Sequence, residues 1–450
     1  MPFPRDDSVP RVAVIGFGYI GSCIGVTLAD LGMRVTGIDR DAATVEAFAR
    51  GECPVPEPGL AEAVTRLHGS DRLAFATGYA AAASADVVLI TVDTPVDDAG
   101  GLVPGPLEAV CRSLAPLLRS GQLVIVKSTV PPGYTRNAVL PMLESGGGRH
   151  GTDFHLAFCP ERLSEGTALA QIRQLPIVIG GCGPASAEAA DAFWQGALQV
   201  PTRVYPVPEI AELVKLADNW WIDHNIAMAN DLARLCDGYG VDVLDVIAGA
   251  NSLPKGNGNV NILLPSVGVG GACLTKDPWM AARSARDRGA RLQTVETARR
   301  VNDEMPEYAA RTITDQLIKL GREPSGAVVA VLGAAFKNDT GDLRATPAAG
   351  VVERLRAAGA RVRVFDPLAD PAEIRSVFGL PAETAWTDAV AGADCVAVLA
   401  GHTPFRRLDF AALKERVADP CLVYDGRAYY PPETIARLRE LGFTYRGVGR

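Results

Sequence analysis

The residues best suited to chemistry lie in a glycine-rich stretch, VGVGGACLTKDPW, from Val267 to Trp279. Cys273 stands four residues before Asp277 and follows Gly268, Gly270 and Gly271. Taken alone, such a cysteine reads as a small buried hydrophobe in a tight turn. Other residues change that reading. Lys215 and Asn219 are four apart in a helical pattern, so they share a face. Glu161 and Glu165 follow the apolar run HLAFCP, and Ser128 and Thr129 end another, QLVIVKST. Together these types suit oxidation of an aldehyde. A thiolate adds to the aldehyde, the adduct gives up a hydride, and water cleaves the thioester that remains. The sequence of steps needs a cation for the oxyanion and a base for the water. If CLTKDPW opens a helix, Cys273 lies near its N-terminus, where a thiolate is favoured. The three glycines would let the backbone approach a substrate carbon with no Cβ in the way.

A hydride acceptor is written near the start of the chain. GFGYIG places Gly16, Gly18 and Gly21 in the spacing G-x-G-x-x-G, after a β-branched strand and before a helical run. Gly16 makes the turn, Gly18 admits a pyrophosphate, and Gly21 lets the helix pack on the sheet. The phosphate charge would face free N–H groups at the helix N-terminus. Asp39 ends the next strand, 18 residues past Gly21, and its carboxylate suits two ribose hydroxyls. That favours NAD over NADP, although Arg40 follows directly.

The elements that must position these residues are of two kinds. Strands are expected at Arg11–Gly16, Arg34–Asp39, Ala85–Pro95, Gln122–Gly133 and Leu175–Gly181. Their apolar runs do not alternate, as in a parallel sheet covered on both faces. A doubly wound α/β domain is therefore expected over 1–205. From Glu209 to Gly249 the apolar spacing is helical and long enough to connect domains, with Trp220 and Trp221 read as packing. Residues 206–320 form a central helical part. A second β-α-β unit occupies 321–450, with strands in GAVVAVLG, ARVRVFDP, ADCVAVLAGH and CLVYDGR. It lacks paired glycines after Gly333 but carries Lys337 and Arg344 near a strand end, which suits a nucleotide diphosphate. The loops Asn251–Ala272 and Lys337–Thr346 read as too polar and glycine-rich for a core.

Bulk properties set limits. The chain has 450 residues, room for roughly three domains at ~150 each. Hydrophobic residues make up 48% and charged residues 21%, an ordinary globular balance. A net charge of -8 provides no basic field for nucleic acid. No run approaches ~18 apolar residues, so a membrane span is not expected. The first apolar run begins only at Val12 and carries glycines, unlike a secretory leader. Nine scattered cysteines without C-x-x-C, and five histidines without H-x-x-x-H, argue against a disulfide framework or a metal site. They fit a reducing cytoplasm.

The segments GFGYIG, KSTVPPG, PERLSEGTA, ELVKLADN, GVGGACLTKDPW and FKNDTGDLRATP, in this order, resemble the UDP-glucose/GDP-mannose dehydrogenase family over nearly the whole chain. The resemblance implies two Rossmann-like doubly wound domains joined by a long central helix that also makes a homodimer. It implies NAD-dependent, four-electron oxidation of the C6 alcohol of a nucleotide sugar to a carboxylate. Carried over by motif, Cys273 is the nucleophile, Lys215 stabilises the oxyanion beside Asn219, and Asp277 with Thr129 handles water. Glu161 positions substrate and serves acid/base steps. NAD is held by Gly16, Gly18, Tyr19, Ile20, Gly21, Asp39, Arg40, Thr94, Thr129, Glu165 and Arg344. The UDP-sugar is held by Glu161, Arg162, Lys215, Asn219, Asn259, Gly270, Phe336, Lys337 and Arg427. No metal is implied.

Arg162 after the glutamate, and GVGG instead of GFGG, resemble the branch acting on UDP-N-acetylhexosamines, with UDP-N-acetylmannosamine favoured over UDP-N-acetylglucosamine. Asn259 departs from that branch, which has an arginine before VNI, and Lys255 is the nearby cation. Ala272 stands where His or Ser is usual. The competing expectations are a UDP-glucose 6-dehydrogenase, a two-electron β-hydroxyacid dehydrogenase and a non-catalytic NAD-binding regulator. The last two leave Cys273 without a task.

Overall fold

The computed structural model describes residues 9–450. Residues 1–8, on which part of the expectation about a leader rests, lie outside the described residues. The chain forms two compact units. One comprises residues up to Asp218 together with Trp279–Ala290; the other comprises Asn219–Pro278 and Arg291–Arg450. Among the described residues no helix is long and apolar enough to cross a membrane. Among them, too, no group of three His, Cys, Asp or Glu could hold a metal ion.

The first unit carries eight strands: β1 (Arg11–Ile15), β2 (Arg34–Ile38), β3 (Leu73–Ala76), β4 (Val87–Ile90), β5 (Gln122–Val126), β6 (Phe154–Phe158), β7 (Ile177–Gly181) and β8 (Thr202–Tyr205). Their order is β3-β2-β1-β4-β5-β6-β7-β8. Successive residues enter opposite cores. Val12, Val14, Leu89 and Ile125 pack on one face, and Ala13, Ile15, Ile90 and Val124 on the other. This period of two, buried on both sides, explains the unbroken apolar runs. Each of the buried Val, Leu and Ile side chains contributes about 1.5–3 kcal/mol. β1 to β6 are parallel, but β7 runs antiparallel to β6. Only a five-residue helix, Ala168–Ile172, lies between them.

The second unit begins inside the 32-residue helix Pro208–Tyr239, about 48 Å long. Proline suits its first turn, and Gly240, at φ 67, ends it in the left-handed conformation. A helix Val243–Asn251 and a small hairpin, β9 (Pro254–Lys255) with β10 (Gly258–Asn259), follow. The 27-residue helix Gln293–Lys319 is absent from the sequence expectations, although Val295, Ala298, Met305, Ala309, Ile313 and Leu317 bury one face at helical spacing. A second, fully parallel sheet has β11 (Val328–Leu332), β12 (Arg361–Phe365), β13 (Cys395–Val398), β14 (Leu422–Asp425) and β15 (Thr444–Gly447) in the order β12-β11-β13-β14-β15. One expectation is corrected here. Pro265–Gly271 is buried rather than an open loop. Val267 joins the core of this unit and donates to the Gly426 carbonyl at 3.1 Å. Backbone pairing makes burial of this glycine-rich segment affordable.

Candidate functional site

In the first unit the candidate residues sit at the carboxyl ends of β1, β2, β4, β5 and β6. Sheet order reverses between β1 and β4, which is where open α/β sheets bind ligands. Gly16 has φ 89, and a Cβ on Gly21 would lie 2.0 Å from the Gly16 carbonyl oxygen. A Cβ on Gly18 would meet nothing within 4 Å. Gly18 caps the helix Tyr19–Asp30 with no side-chain hydrogen bond, so first-turn N–H groups near Tyr19 and Ile20 stay available. Asp39 accepts from Phe17 N at 2.7 Å and Asp41 N at 3.0 Å, which fixes its carboxylate beside the glycine turn. Arg40 is exposed. This cradle fits a dinucleotide pyrophosphate and ribose. Thr94 is buried and Thr129 half-buried on the loops after β4 and β5. Ser128 is spent structurally: its hydroxyl donates to the Val92 carbonyl at 2.6 Å.

Two residues here escaped the sequence reading. Lys127 directly follows β5, nearly fully buried, with Nζ 3.2 Å from Glu161 Oε2. The other oxygen, Glu161 Oε1, accepts from Arg162 N at 2.7 Å and Leu163 N at 2.9 Å. A lysine closing the apolar run QLVIV was the available signal. Glu57 is also buried and accepts from Gly166 N and Ala168 N, each at 2.7 Å, and from the Tyr19 hydroxyl. Burial, with Glu57 alongside, pushes the Tyr19 phenol up. Glu57 thereby ties the cofactor turn to the segment that carries Glu161 and Glu165. Its setting, VPEPG, reads as an exposed turn, so no sequence signal marked it. Arg162 donates to the Pro176 carbonyl and lies 3.8 Å from Asp218.

The helix Pro208–Tyr239 carries Lys215 and Asn219 on one buried face, as their spacing requires. Among the described residues Lys215 has no hydrogen-bond or ion-pair partner. Asn219 donates to Asp277 Oδ2 at 2.5 Å, and Lys276 Nζ lies 2.6 Å from Asp277 Oδ1. Cys273 is exposed. Its carbonyl accepts from Lys276 N and Asp277 N, so a single turn links thiol and carboxylate. The helix itself begins at Asp277, not at Cys273. A helix-dipole argument for the thiolate is therefore weaker than the sequence suggested. The glycines also have a visible structural reason. A Cβ on Gly270 would lie 2.5 Å from Phe336 Cβ and 2.7 Å from the Ala345 carbonyl oxygen. Gly271 N bonds the Arg344 carbonyl at 3.0 Å, so the cysteine segment nests against the loop bearing Phe336, Lys337 and Arg344.

The second sheet has its own strand-end cluster. Asp366, after β12, accepts from Ala334 N, Leu368 N and Ala369 N and from His402 Nε2 at 2.9 Å. This acidic group is buried and engaged by three backbone amides and His402, and no paired glycines follow β11. A second dinucleotide cradle is therefore not built. Asp425 is fully buried and accepts from Arg427 N, Tyr429 N and Tyr430 N. Desolvation pulls the Arg427 guanidinium down, with Asp425 opposing. Asn259 and Lys255 lie on the exposed β9–β10 hairpin, where Asn259 pairs with Pro254 and Lys255 with Gly258. Arg344 is engaged by Asp342.

Residues 10–197 match the NAD-binding domain of the UDP-glucose/GDP-mannose dehydrogenase family, 209–304 its central domain and 330–432 its UDP-binding domain. The chain belongs to this family. It is an NAD-dependent nucleotide-sugar dehydrogenase. It is 31% identical to the UDP-N-acetyl-D-mannosamine dehydrogenase of Pyrococcus horikoshii, over 98% of this chain and 99% of that one. It is 35% identical to an NDP-N-acetyl-D-galactosaminuronic acid dehydrogenase of Ralstonia nicotianae, over 94% and 97%. The solved UDP-glucose dehydrogenase of Pyrobaculum islandicum superposes with a TM-score of 0.87 at 32% identity, covering 99% of both chains. The glycine cradle thus lies in the NAD-binding domain, and the second sheet in the UDP-binding domain, of such a dehydrogenase.

Proposed function

We propose that this dehydrogenase oxidises C6 of a UDP-N-acetylhexosamine, UDP-N-acetylmannosamine first among them, to the uronic acid. The observation that carries the reading is the turn joining exposed Cys273 to the buried carboxylate of Asp277, which Asn219 and Lys276 hold. NAD, when bound, accepts a hydride in each of two oxidations. In the first, the C6 alcohol gives up a hydride, and Glu161, which positions the substrate, takes the hydroxyl proton. The Cys273 thiolate then adds to the aldehyde carbon, and the ammonium of Lys215, buried and unpaired, balances the oxyanion. Loss of the second hydride leaves a thioester on Cys273. Asp277 takes a proton from the attacking water, and the acid departs with the thiol regenerated. Arg427, Lys337 and Phe336 hold the nucleotide half.

The three-part division 1–205, 206–320 and 321–450 then separates cofactor, catalytic and nucleotide roles. A homodimer is part of the same reading. Trp221, Met228 and Leu235 repeat every seven residues on the central helix and are 49%, 49% and 56% exposed. Trp221 therefore does not serve as core packing, against the sequence expectation. A stripe of this spacing suits a helix from a second copy.

Arg162 and the GVGG spacing support an N-acetylated sugar, while relatives of similar identity act on different sugars by name. A panel of UDP-N-acetylmannosamine, UDP-N-acetylglucosamine, UDP-N-acetylgalactosamine, UDP-glucose and GDP-mannose, with NADH followed at 340 nm, decides between them. The expected result is the highest kcat/KM on UDP-N-acetylmannosamine. Preference for UDP-glucose would overturn the sugar assignment.

A further inference from the structure

We infer that Lys127 is a positioning residue for Glu161, an inference that rests on Glu161 acting on the substrate. Lys127 is 3% exposed and Glu161 15% exposed at the side chain, and they are 3.2 Å apart. The ammonium has a second acceptor, the Cys159 carbonyl at 3.3 Å, and lies 5.1 Å above the Trp194 ring. Lys127 is thus fixed from three sides.

Glu161 is fixed in turn. The amides of Arg162 and Leu163 hold Oε1, and Lys127 holds Oε2. The last torsion of a glutamate is broad and roughly two-fold, so one anchored oxygen leaves the carboxylate plane free to turn. Two anchored oxygens remove that freedom. A buried ion pair is a poor source of stability, because an apolar pair of the same volume does as well or better. Its presence at the carboxyl edge of the sheet, two residues before Thr129, therefore points to function. Lys127 is spent on Glu161 and Cys159, which leaves oxyanion duty to Lys215.

The test is a double-mutant cycle on the full-length enzyme with its nucleotide-sugar substrate. Lys127→Met and Glu161→Gln are each expected to lower kcat, by roughly 10- to 100-fold. Lys127→Arg should recover most of the loss, and NADH affinity should stay within about 2-fold throughout. The double variant should be no slower than Glu161→Gln alone, because the lysine acts only through the glutamate. If Lys127→Met does not fold, Lys127→Gln, which keeps a donor for the Cys159 carbonyl, takes its place in the cycle. Multiplying losses, or a Lys127 variant with wild-type kcat beside a slow Glu161→Gln, overturns the inference. A Glu161→Gln enzyme with wild-type kcat instead removes the role given to Glu161, and the inference with it.

Discussion

Asn219 donates to Asp277 across 2.5 Å, and both side chains are buried. One lies on the central helix and the other at the start of the helix after Cys273. The amide holds one carboxylate oxygen and Lys276 the other, so Asp277 is oriented for a single task. Asn219→Ala should slow thioester hydrolysis by roughly 10- to 100-fold. Rapid-quench kinetics should then show enzyme-bound acyl product accumulating on Cys273. Faster turnover, or no accumulation, would contradict the role given to this pair.

Gly18 and Gly21 separate ligand binding from folding. Gly18 has room for a Cβ, whereas one on Gly21 would meet the Gly16 carbonyl at 2.0 Å. Gly18→Ala should leave Tm nearly unchanged yet weaken NADH, by about 10-fold or more, because the methyl occupies the pyrophosphate approach. Gly21→Ala should also destabilise the enzyme, by about 1–3 kcal/mol. Fluorescence titration and thermal melts on the two variants make the comparison; equal Tm losses would count against the cradle.

Asp366 supplies a pH-dependent term. Burial pushes its carboxyl up, but His402 and the amides of Leu368 and Ala334 outweigh that and hold it below 3.8. A carboxylate lowered in the folded state lends stability that is complete above the unfolded value, about 3.9, and fades as pH falls through the folded one. Asp366→Asn should cost about 3 kcal/mol near pH 7. Its Tm deficit should narrow below about pH 4. A deficit independent of pH would contradict this account.

The exposed heptad on the central helix gives the fourth prediction. If the proposed dimer forms through this face, Trp221→Glu combined with Leu235→Glu should turn it into a monomer in sedimentation velocity, since both side chains are about half exposed in the single chain. An unchanged sedimentation coefficient would contradict a dimer built on this face.

Much of this was legible because the motifs combine composition with context. GFGYIG ends a strand and opens a helix, and Asp39 ends the next strand, so the cofactor cradle could be placed before any coordinates. Helical spacing put Lys215 and Asn219 on one face, which taken alone reads as solvated; their roles came with the family resemblance, and both are buried. Other features depend on tertiary partners that spacing does not encode. Lys127 looked like the end of a strand until Glu161 returned to it from 34 residues away. Glu57 went unread because its donors, Gly166 and Ala168, lie about 110 residues further along the chain. Burial of Pro265–Gly271 depends on Gly426, about 160 residues distant, supplying the backbone acceptor.

The central claim is that Cys273 carries one sugar through two oxidations. It is tested most directly by incubating a limiting, known amount of UDP-N-acetylmannosamine with excess NAD and counting NADH per sugar consumed. The account predicts two NADH per sugar and a carboxylate product for the wild-type enzyme, with acid formation lost in Cys273→Ala while NADH binding is kept. One NADH per sugar with a free aldehyde or ketone released, or undiminished acid from Cys273→Ala, would contradict it.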